Sequence, residues 1–576
     1  MKKAAPTTQE KTKTKRSTTP QQRRKAQRER IQKVSREALG FDHLRPGQRE
    51  AIEALLQGHD TLAVLPTGAG KSAIYQIAGE LMPGPTIVVS PLLALQRDQV
   101  ESINEADVGS AAALNSAQRA RERQETLEEL EEGELEFIFL APEQFNNADL
   151  LEQLRAAKPS LLVVDEAHCV SEWGHDFRPD YLKLGAVIEA LGQPRVLALT
   201  ATAAPPVRKE IVERLGLQEP RVIVQGFDRP NIWLGTRRFE NEDAKRAALL
   251  DEVLAAVAQG EKPGIVYVAT RKCAEEVAFA LGEAGVRALF YHAGMKPAER
   301  EQAQAAFMEG DTDIIVATIA FGMGIDKPDV RWVFHHDVSD SLDSYYQEIG
   351  RAGRDDQPSR ALLFYVPKDL NVHRFFSGGG RIEADDVTQV AAAILKGDGH
   401  ADAEELPAET ELSRTRLNRV LHALQDAGAV HIAPDGEVAA QEPLQNVSQV
   451  ARGVLQSEEQ RRHFERSRLD MMQSYAEASA CRRGFILNYF GEEFDAPDGR
   501  CNNCDNCQRA AHVEPTPTST QPFPINSRVR HAQWGEGEVL RYEADKMVVL
   551  FDSVGYKTMA VDLVLQNALL QIVTQE

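Results

Sequence analysis

Between about residues 36 and 365, short apolar runs alternate with longer amphipathic stretches, a rhythm that few folds can accommodate. Thr61–Leu65, Thr86–Ser90, Phe137–Leu140, Leu161–Val164 and Val196–Leu199 make one set of runs. Gly264–Val268, Ala288–Tyr291, Asp313–Ala317, Val330–Phe334 and Ala361–Tyr365 make a second. Each run is short and continuously apolar, as a strand covered on both faces must be. With helical-period segments between them, such strands predict parallel α/β sheets flanked by helices. The two sets part near residues 205–245, so two such domains are expected in tandem.

The chain of 576 residues carries a formal net charge of −21, which argues against a uniformly basic coat. A local groove of Lys and Arg for nucleic acid remains compatible with it. No apolar stretch approaches the roughly 20 residues that span a bilayer, and the N-terminus lacks the apolar core of a secretory signal, so no membrane association is expected. Four of the six cysteines crowd into residues 481–507, which points to metal binding in a reducing, cytoplasmic setting rather than a disulfide framework.

The expected organisation is a basic disordered tail (1–34) and two parallel-sheet domains (35–208 and 209–380). A winged-helix-like unit (381–445) follows, then a helical zinc-binding domain (446–512), a Pro- and Thr-rich linker (513–524) and a small β-barrel (525–576). The winged-helix reading rests on helical patterns at Ala384–Lys396 and Ser413–Ala427. Ser413 is its expected N-cap, Gly428 its stop, and Val430–Val438 a hairpin.

Leu65-Pro-Thr-Gly-Ala-Gly-Lys71-Ser72 sits after a strand and before a helix, where a phosphate-binding loop belongs. Thr67, Gly68, Ala69 and Gly70 would cradle phosphate oxygens with backbone N–H groups. Lys71 would hold the β/γ-phosphates and Ser72 would ligate Mg²⁺. The leading glycine of the general pattern is Leu65 here. Asp165 ends another strand and would hold Mg²⁺ through water. Glu166 beside it would polarise the attacking water, and His168 completes the segment. Together these predict ATP hydrolysis.

Asp165-Glu-Ala-His168 is similar to the box of superfamily 2 helicases, and several further segments resemble the RecQ-like branch. Phe41 to Gln48 resembles its adenine-recognition motif, which implies that Gln48 reads the adenine edge while Phe41 and Arg45 pack on the base. Ser171 to Tyr181 resembles the aromatic-rich loop of this family. By that resemblance Trp173, His175, Phe177 and Arg178 couple DNA contact to hydrolysis, with stacking worth about 1–3 kcal/mol per base. Ser90–Leu95, Thr200–Thr202, Tyr267–Arg271, Tyr291–Gly294 and Thr318–Asp326 also match, and Asp326 is expected at the nucleotide. Gln347 to Arg354 resembles the last motor motif. Arg351 and Arg354 are expected to reach the γ-phosphate, with Arg354 as arginine finger.

Cys481, Cys501, Cys504 and Cys507 suit a closed tetrahedral Zn²⁺ site. With Arg483 and Tyr489-Phe-Gly491 they resemble the RecQ zinc-binding domain. Two departures bear on function. A winged-helix-like unit stands between motor and zinc domain, where Arg414, Arg416 and Arg419 are candidates for DNA contact. After Cys507 the sequence is too short for the usual RecQ winged helix and its strand-separating hairpin. This arrangement is similar to the linker-containing RqlH-like bacterial subclade. The tail, Arg528 through Val539 with Val548–Phe551 and Gly555–Lys557, resembles a Tudor-like domain of some superfamily 1 helicases, which implies docking to a protein such as RNA polymerase or to DNA, or a structural cap.

The resemblance implies a monomeric ATP-dependent 3′→5′ helicase acting on single-stranded and tailed duplex DNA in repair or recombination. A DNA-stimulated translocase that does not unwind is the alternative enzyme. A non-enzymatic nucleic-acid scaffold is disfavoured by the intact Lys71, Asp165, Glu166, Arg351 and Arg354.

Overall fold

A computed structural model describes residues 20–573, apart from segments 172–177, 374–381, 403–405, 433–436 and 511–520 and some single or paired positions. The first domain is a seven-stranded parallel sheet. Its strands are β1 (Thr61–Val64), β2 (Thr86–Val89), β3 (Ala111–Leu114), β4 (Phe137–Leu140), β5 (Leu161–Val164), β6 (Arg195–Thr200) and β7 (Arg221–Val224). Their spatial order is β3-β4-β2-β5-β6-β1-β7. The five central strands were expected, because both their faces are buried and every residue must be apolar.

The second domain is a six-stranded parallel sheet, ordered β10-β11-β9-β12-β13-β8. It contains β8 (Ile232–Arg238), β9 (Gly264–Tyr267), β10 (Ala288–Tyr291), β11 (Ile314–Ala317), β12 (Trp332–His335) and β13 (Ser359–Tyr365). The sequence reading missed β3, β7 and β8, and all three lie at sheet edges. An edge strand is not obliged to be apolar throughout: β7 is half exposed, and β3 is mostly alanine. The first sheet therefore runs to Val224, past the expected boundary at residue 208, and the crossing between sheets is the connector 225–231.

The expected disordered tail needs correction. Pro20–Glu37 is a helix, and Ile31 and Ser35 on it are buried, at 1% and 0% exposure. Ile31 packs into the cluster of Ala51, Ile52, Leu55 and Tyr75 on one face of the first sheet. The segment is polar enough to read as a tail because only a thin stripe of it is covered. Residues 1–19 lie outside the described residues.

Beyond the motor, helices Ala384–Lys396, Leu406–Thr410 and Arg414–Asp426 pack with a three-stranded antiparallel sheet around one apolar core. Ser413 caps the last helix by accepting from the Arg416 amide, and Gly428 beyond it has φ +65°. The Arg416 guanidinium is bonded to Asp386 at 2.8 Å and lies 3.5 Å from Glu383, an ion pair inside this unit. A helix of 31 residues, Val447–Glu477, then leads to Arg482–Tyr489 and Asp505–Ala510 around the cysteines. The tail forms a five-stranded antiparallel sheet. Phe523, assigned to the linker from its Pro- and Thr-rich neighbours, belongs to the core of this domain. Among the described residues no helix is long and apolar enough to cross a membrane.

Ile31→Ala should remove about 2–4 kcal/mol of packing from the first domain. Calorimetry should show its transition moved down by several degrees; an unmoved transition would mean that the helix is not seated.

Candidate functional site

Parallel strands deliver all their following loops to one edge, and three adjacent strands build the nucleotide site here. β1 leads into the phosphate loop, β5 into Asp165-Glu166 and β6, between them, into Thr200-Ala201-Thr202. Gly68 and Gly70 adopt φ of +81° and +69°, which lets the loop curl ahead of the helix Ser72–Leu81. A Cβ on Gly70 would meet Gln48 Nε2 at 2.8 Å, so a larger residue there would displace the Gln48 amide. Lys71 Nζ donates to the Leu65 carbonyl at 3.3 Å, placing the ammonium inside the curl.

Gln48 lies against the phosphate loop. It is 3% exposed, and its Oε1 accepts from the Arg45 amide at 2.8 Å. Its Nε2 donates to the carbonyls of Ala69 and Gly70, both at 2.8 Å. The amide therefore ties the Arg45 turn to the phosphate loop. Arg45 reaches the Gly68 carbonyl. Phe41 stays exposed and is anchored from behind: its amide donates to Ser35 at 2.9 Å and its carbonyl accepts from the Ser35 hydroxyl. Ser35 belongs to the N-terminal helix Pro20–Glu37, most of which was read as a tail, so that helix holds Phe41 in place.

Asp165 accepts from the Glu166 amide at 3.0 Å, and Glu166 takes the left-handed conformation, φ +49°. Burial and then the Glu166 carboxylate raise the Asp165 pKa to about 7, with Lys71 partly offsetting them. Such a group gains most from a divalent cation, which removes the cost of the buried charge. The donor set of Ser72 and Asp165 therefore fits Mg²⁺ chemistry. His168 Nδ1 lies 2.9 Å from Thr200 Oγ1 and 3.2 Å from Glu166, linking the box to β6.

Trp173, His175 and Phe177 lie outside the described residues, but both ends of their loop are visible. Ser171 Oγ donates to Glu210 at 2.5 Å, and Arg178 Nη1 donates to the Pro91 carbonyl at 3.0 Å. Just beyond, the Tyr181 hydroxyl donates to the Asp165 carbonyl at 3.1 Å. The loop is thus fastened to the backbone of the hydrolytic residue itself. Asp326 also lies outside the described residues.

The second domain closes over this edge. A Cβ on Gly68 would meet Arg354 Cγ at 3.4 Å, so the Arg354 side chain lies against the phosphate loop. Arg351 is 7% exposed, and its buried Nε has no hydrogen-bond partner among the described residues. Gln347 Nε2 donates to Thr202 Oγ1 at 3.0 Å, a direct bond between the domains. Sequence reasoning missed Arg229 in the connector, which donates to the carbonyls of Gly350, Ala352 and Gly353 at 3.2, 2.9 and 2.9 Å and so shapes the arginine loop. Nothing in its local sequence separates it from a surface arginine.

The four cysteines converge as expected, with all Sγ atoms within 4.8 Å of one another and Cys501 and Cys507 at 3.9 Å. Zn–S bonds of about 2.3 Å in a tetrahedron require S···S of about 3.8 Å, so the cluster fits Zn²⁺. The module then grips the connector. Arg483 donates to the carbonyls of Arg229 and Ile232 at 3.0 and 2.8 Å, and Glu492 accepts from the Phe227 amide at 2.8 Å. Phe227 and Phe490 stack at 4.4 Å. Cys504 also bridges to Leu234 on the open edge of β8.

Family models match in the same order as these units: DEAD/DEAH box helicase at residues 45–211, helicase conserved C-terminal domain at 244–356 and RecQ zinc-binding at 442–508. The chain is 36% identical over 478 residues to the probable ATP-dependent DNA helicase RecS of Bacillus subtilis, covering 83% of this chain and 92% of that protein. The chain belongs to the RecQ family of DNA helicases. It is 34% identical to the ATP-dependent DNA helicase RecQ of Pasteurella multocida over 81% of its own length, but spans only 61% of that relative. Among solved structures, the DUF1998 helicase MrfA bound to DNA and AMPPNP aligns with a TM-score of 0.50 at 21% identity. That alignment covers 73% of this chain and 62% of that one, and shows the shared fold alone.

Like other RecQ-family proteins the chain has ATP, Mg²⁺ and Zn²⁺ as its cofactors, the last fitted by the four cysteines. Cys504→Ala should remove the metal and, with it, folding free energy of the module that holds the connector. Elemental analysis should find no stoichiometric zinc and proteolysis should open the region 447–510; a stable, metal-free variant would contradict a structural role.

Proposed function

We propose that this chain is a monomeric motor that hydrolyses ATP between its two domains, moves 3′→5′ on single-stranded DNA and separates tailed duplex in repair or recombination. The observation that carries the reading is Arg354 of the second domain lying against Gly68 of the first-domain phosphate loop. An arginine delivered across a cleft to that loop is positioned for the charge that grows on a transferring γ-phosphate.

In this reading the backbone of Thr67 to Gly70 and the Lys71 ammonium bind the phosphates, while Phe41 and Arg45 pack on the base and Gln48 reads its edge. Ser72 and Asp165 would hold Mg²⁺, which when bound neutralises charge on the β/γ-phosphate oxygens. Glu166 orients the attacking water and takes its proton, and His168 holds Glu166 and Thr200 together. Arg351 and Arg354 stabilise the transition state. The loop that carries Trp173, His175, Phe177 and Arg178 reports DNA to Asp165 through its fastened end. Polarity and the choice of DNA over RNA rest on membership of the RecQ family. The exposed Ile525, Leu563, Leu565 and Ile572 of the C-terminal domain support a protein partner there, for which RNA polymerase is the candidate.

Lys71→Ala should abolish hydrolysis while single-strand affinity, measured by fluorescence anisotropy, stays near that of the parent. Arg354→Ala should lower kcat about a thousandfold with nucleotide binding retained. On substrates, a 3′-tailed duplex should be unwound and a 5′-tailed one left intact. Vigorous DNA-stimulated hydrolysis with no strand displacement would select the translocase reading instead.

A further inference from the structure

The C-terminal sheet has two covered faces. Val529, Val539, Met547, Val549 and Phe551 form its own core. On the other face Leu540, Val548, Leu550 and Tyr556 join the cluster that contains Tyr489, Phe490, Tyr346 and Phe227 of the motor and zinc module. A domain tethered only to recruit a partner has no reason to bury a second face on its own motor. The approach is close: Gly555, at φ +71°, leaves no room for a Cβ against Ser467 of the long helix. Tyr556 is 4% exposed and stacks on Tyr489 at 5.3 Å, with the rings 25° apart.

What Tyr556 rests on leads to the cleft. The Tyr489 hydroxyl donates to Asp343 of the second domain at 2.5 Å, and Arg468 donates to Ser341 there at 2.9 Å. The carbonyl of the next residue, Phe490, accepts from Arg208 of the first domain. Arg208 Nε in turn donates to the Ala203 carbonyl at 2.8 Å, one residue from the Thr202 hydroxyl that Gln347 reaches across the cleft. Burial lowers the Arg208 pKa to about 10, with Tyr556 and Glu538 of the C-terminal sheet and Asp343 of the second domain working against the fall.

We propose that the C-terminal β domain is a built-in brace of the motor, in which Tyr556 is a positioning residue: seated on Tyr489, it holds the Phe490 turn against Arg208, and Arg208 holds Ala203 so that Thr202 meets Gln347. The domain thereby sets how tightly DNA binding is coupled to hydrolysis. This rests on the reading of Gln347 to Arg354 as the motif that closes the cleft.

The test is steady-state ATPase of the full chain, with and without saturating single-stranded oligonucleotide. Tyr556→Ala should lower the DNA-stimulated kcat about fivefold. KM for ATP should stay unchanged, because the phosphate loop belongs to the first domain, and the DNA-free rate should fall by much less than the DNA-stimulated one. Tyr556→Phe, which keeps the ring, should restore the parental rate. Ser467→Leu, which crowds Gly555 from the long helix and leaves the sequence of the C-terminal sheet intact, should reproduce the Tyr556→Ala split and serves where that variant does not fold. Unchanged DNA stimulation in both disruptive variants, or equal loss with and without DNA, would overturn the brace. A parent chain that shows no ATPase at all would instead sink the motor reading beneath it.

Discussion

Closure of one polar cleft between two parallel sheets is the constraint on which the rest of the molecule depends. Among the described residues its walls meet at the bond from Gln347 to Thr202 and where Arg354 lies against the phosphate loop. A neutral hydrogen bond contributes about 0.5–1.5 kcal/mol net, so contacts of this kind can form and break within one round of nucleotide turnover. The connector is treated differently. Arg229, Arg483, Glu492 and stacked Phe227 and Phe490 lock residues 225–232 by several routes at once.

The zinc module acquires its role from that arrangement. Its cysteines lie far along the chain from the motor, yet Arg483, Phe490 and Glu492 reach the connector, and Cys504 caps the edge strand β8. Metal binding in such a module supplies folding free energy, so the hinge is only as stable as the Zn²⁺ site. The acidic balance of the whole chain does not conflict with binding phosphates. Lys71, Arg351 and Arg354 gather where the strands end, and local cations matter more than the total at distances beyond the Debye length of about 8–10 Å.

How far each feature could be read in advance follows its physical origin. Fully buried strands, such as Phe137–Leu140 and Leu161–Val164, announce themselves because both faces demand apolar residues. Edge strands β3, β7 and β8 do not. The tight loop at Gly68 and Gly70, both at positive φ, was legible because such a turn after a strand needs residue types in a fixed local order. The ion pair of Arg416 was not, because its partner Asp386 is thirty positions away in sequence and only the folded unit brings them together. Gln48 was legible as a member of the nucleotide site, while its commitment to the Ala69 and Gly70 carbonyls was not.

By itself the sequence determined the pair of parallel-sheet domains, the phosphate loop, the arginine motif and the metal cluster, all of which are short-range patterns with one chemical solution each. Only the tertiary structure decided that Pro20–Glu37 anchors Phe41, that Arg229 shapes the arginine loop and that Tyr556 lies in the junction between motor and zinc module. Those outcomes depend on which surfaces meet. A surface is assembled from residues hundreds of positions apart, so no local window of the chain can specify its neighbour.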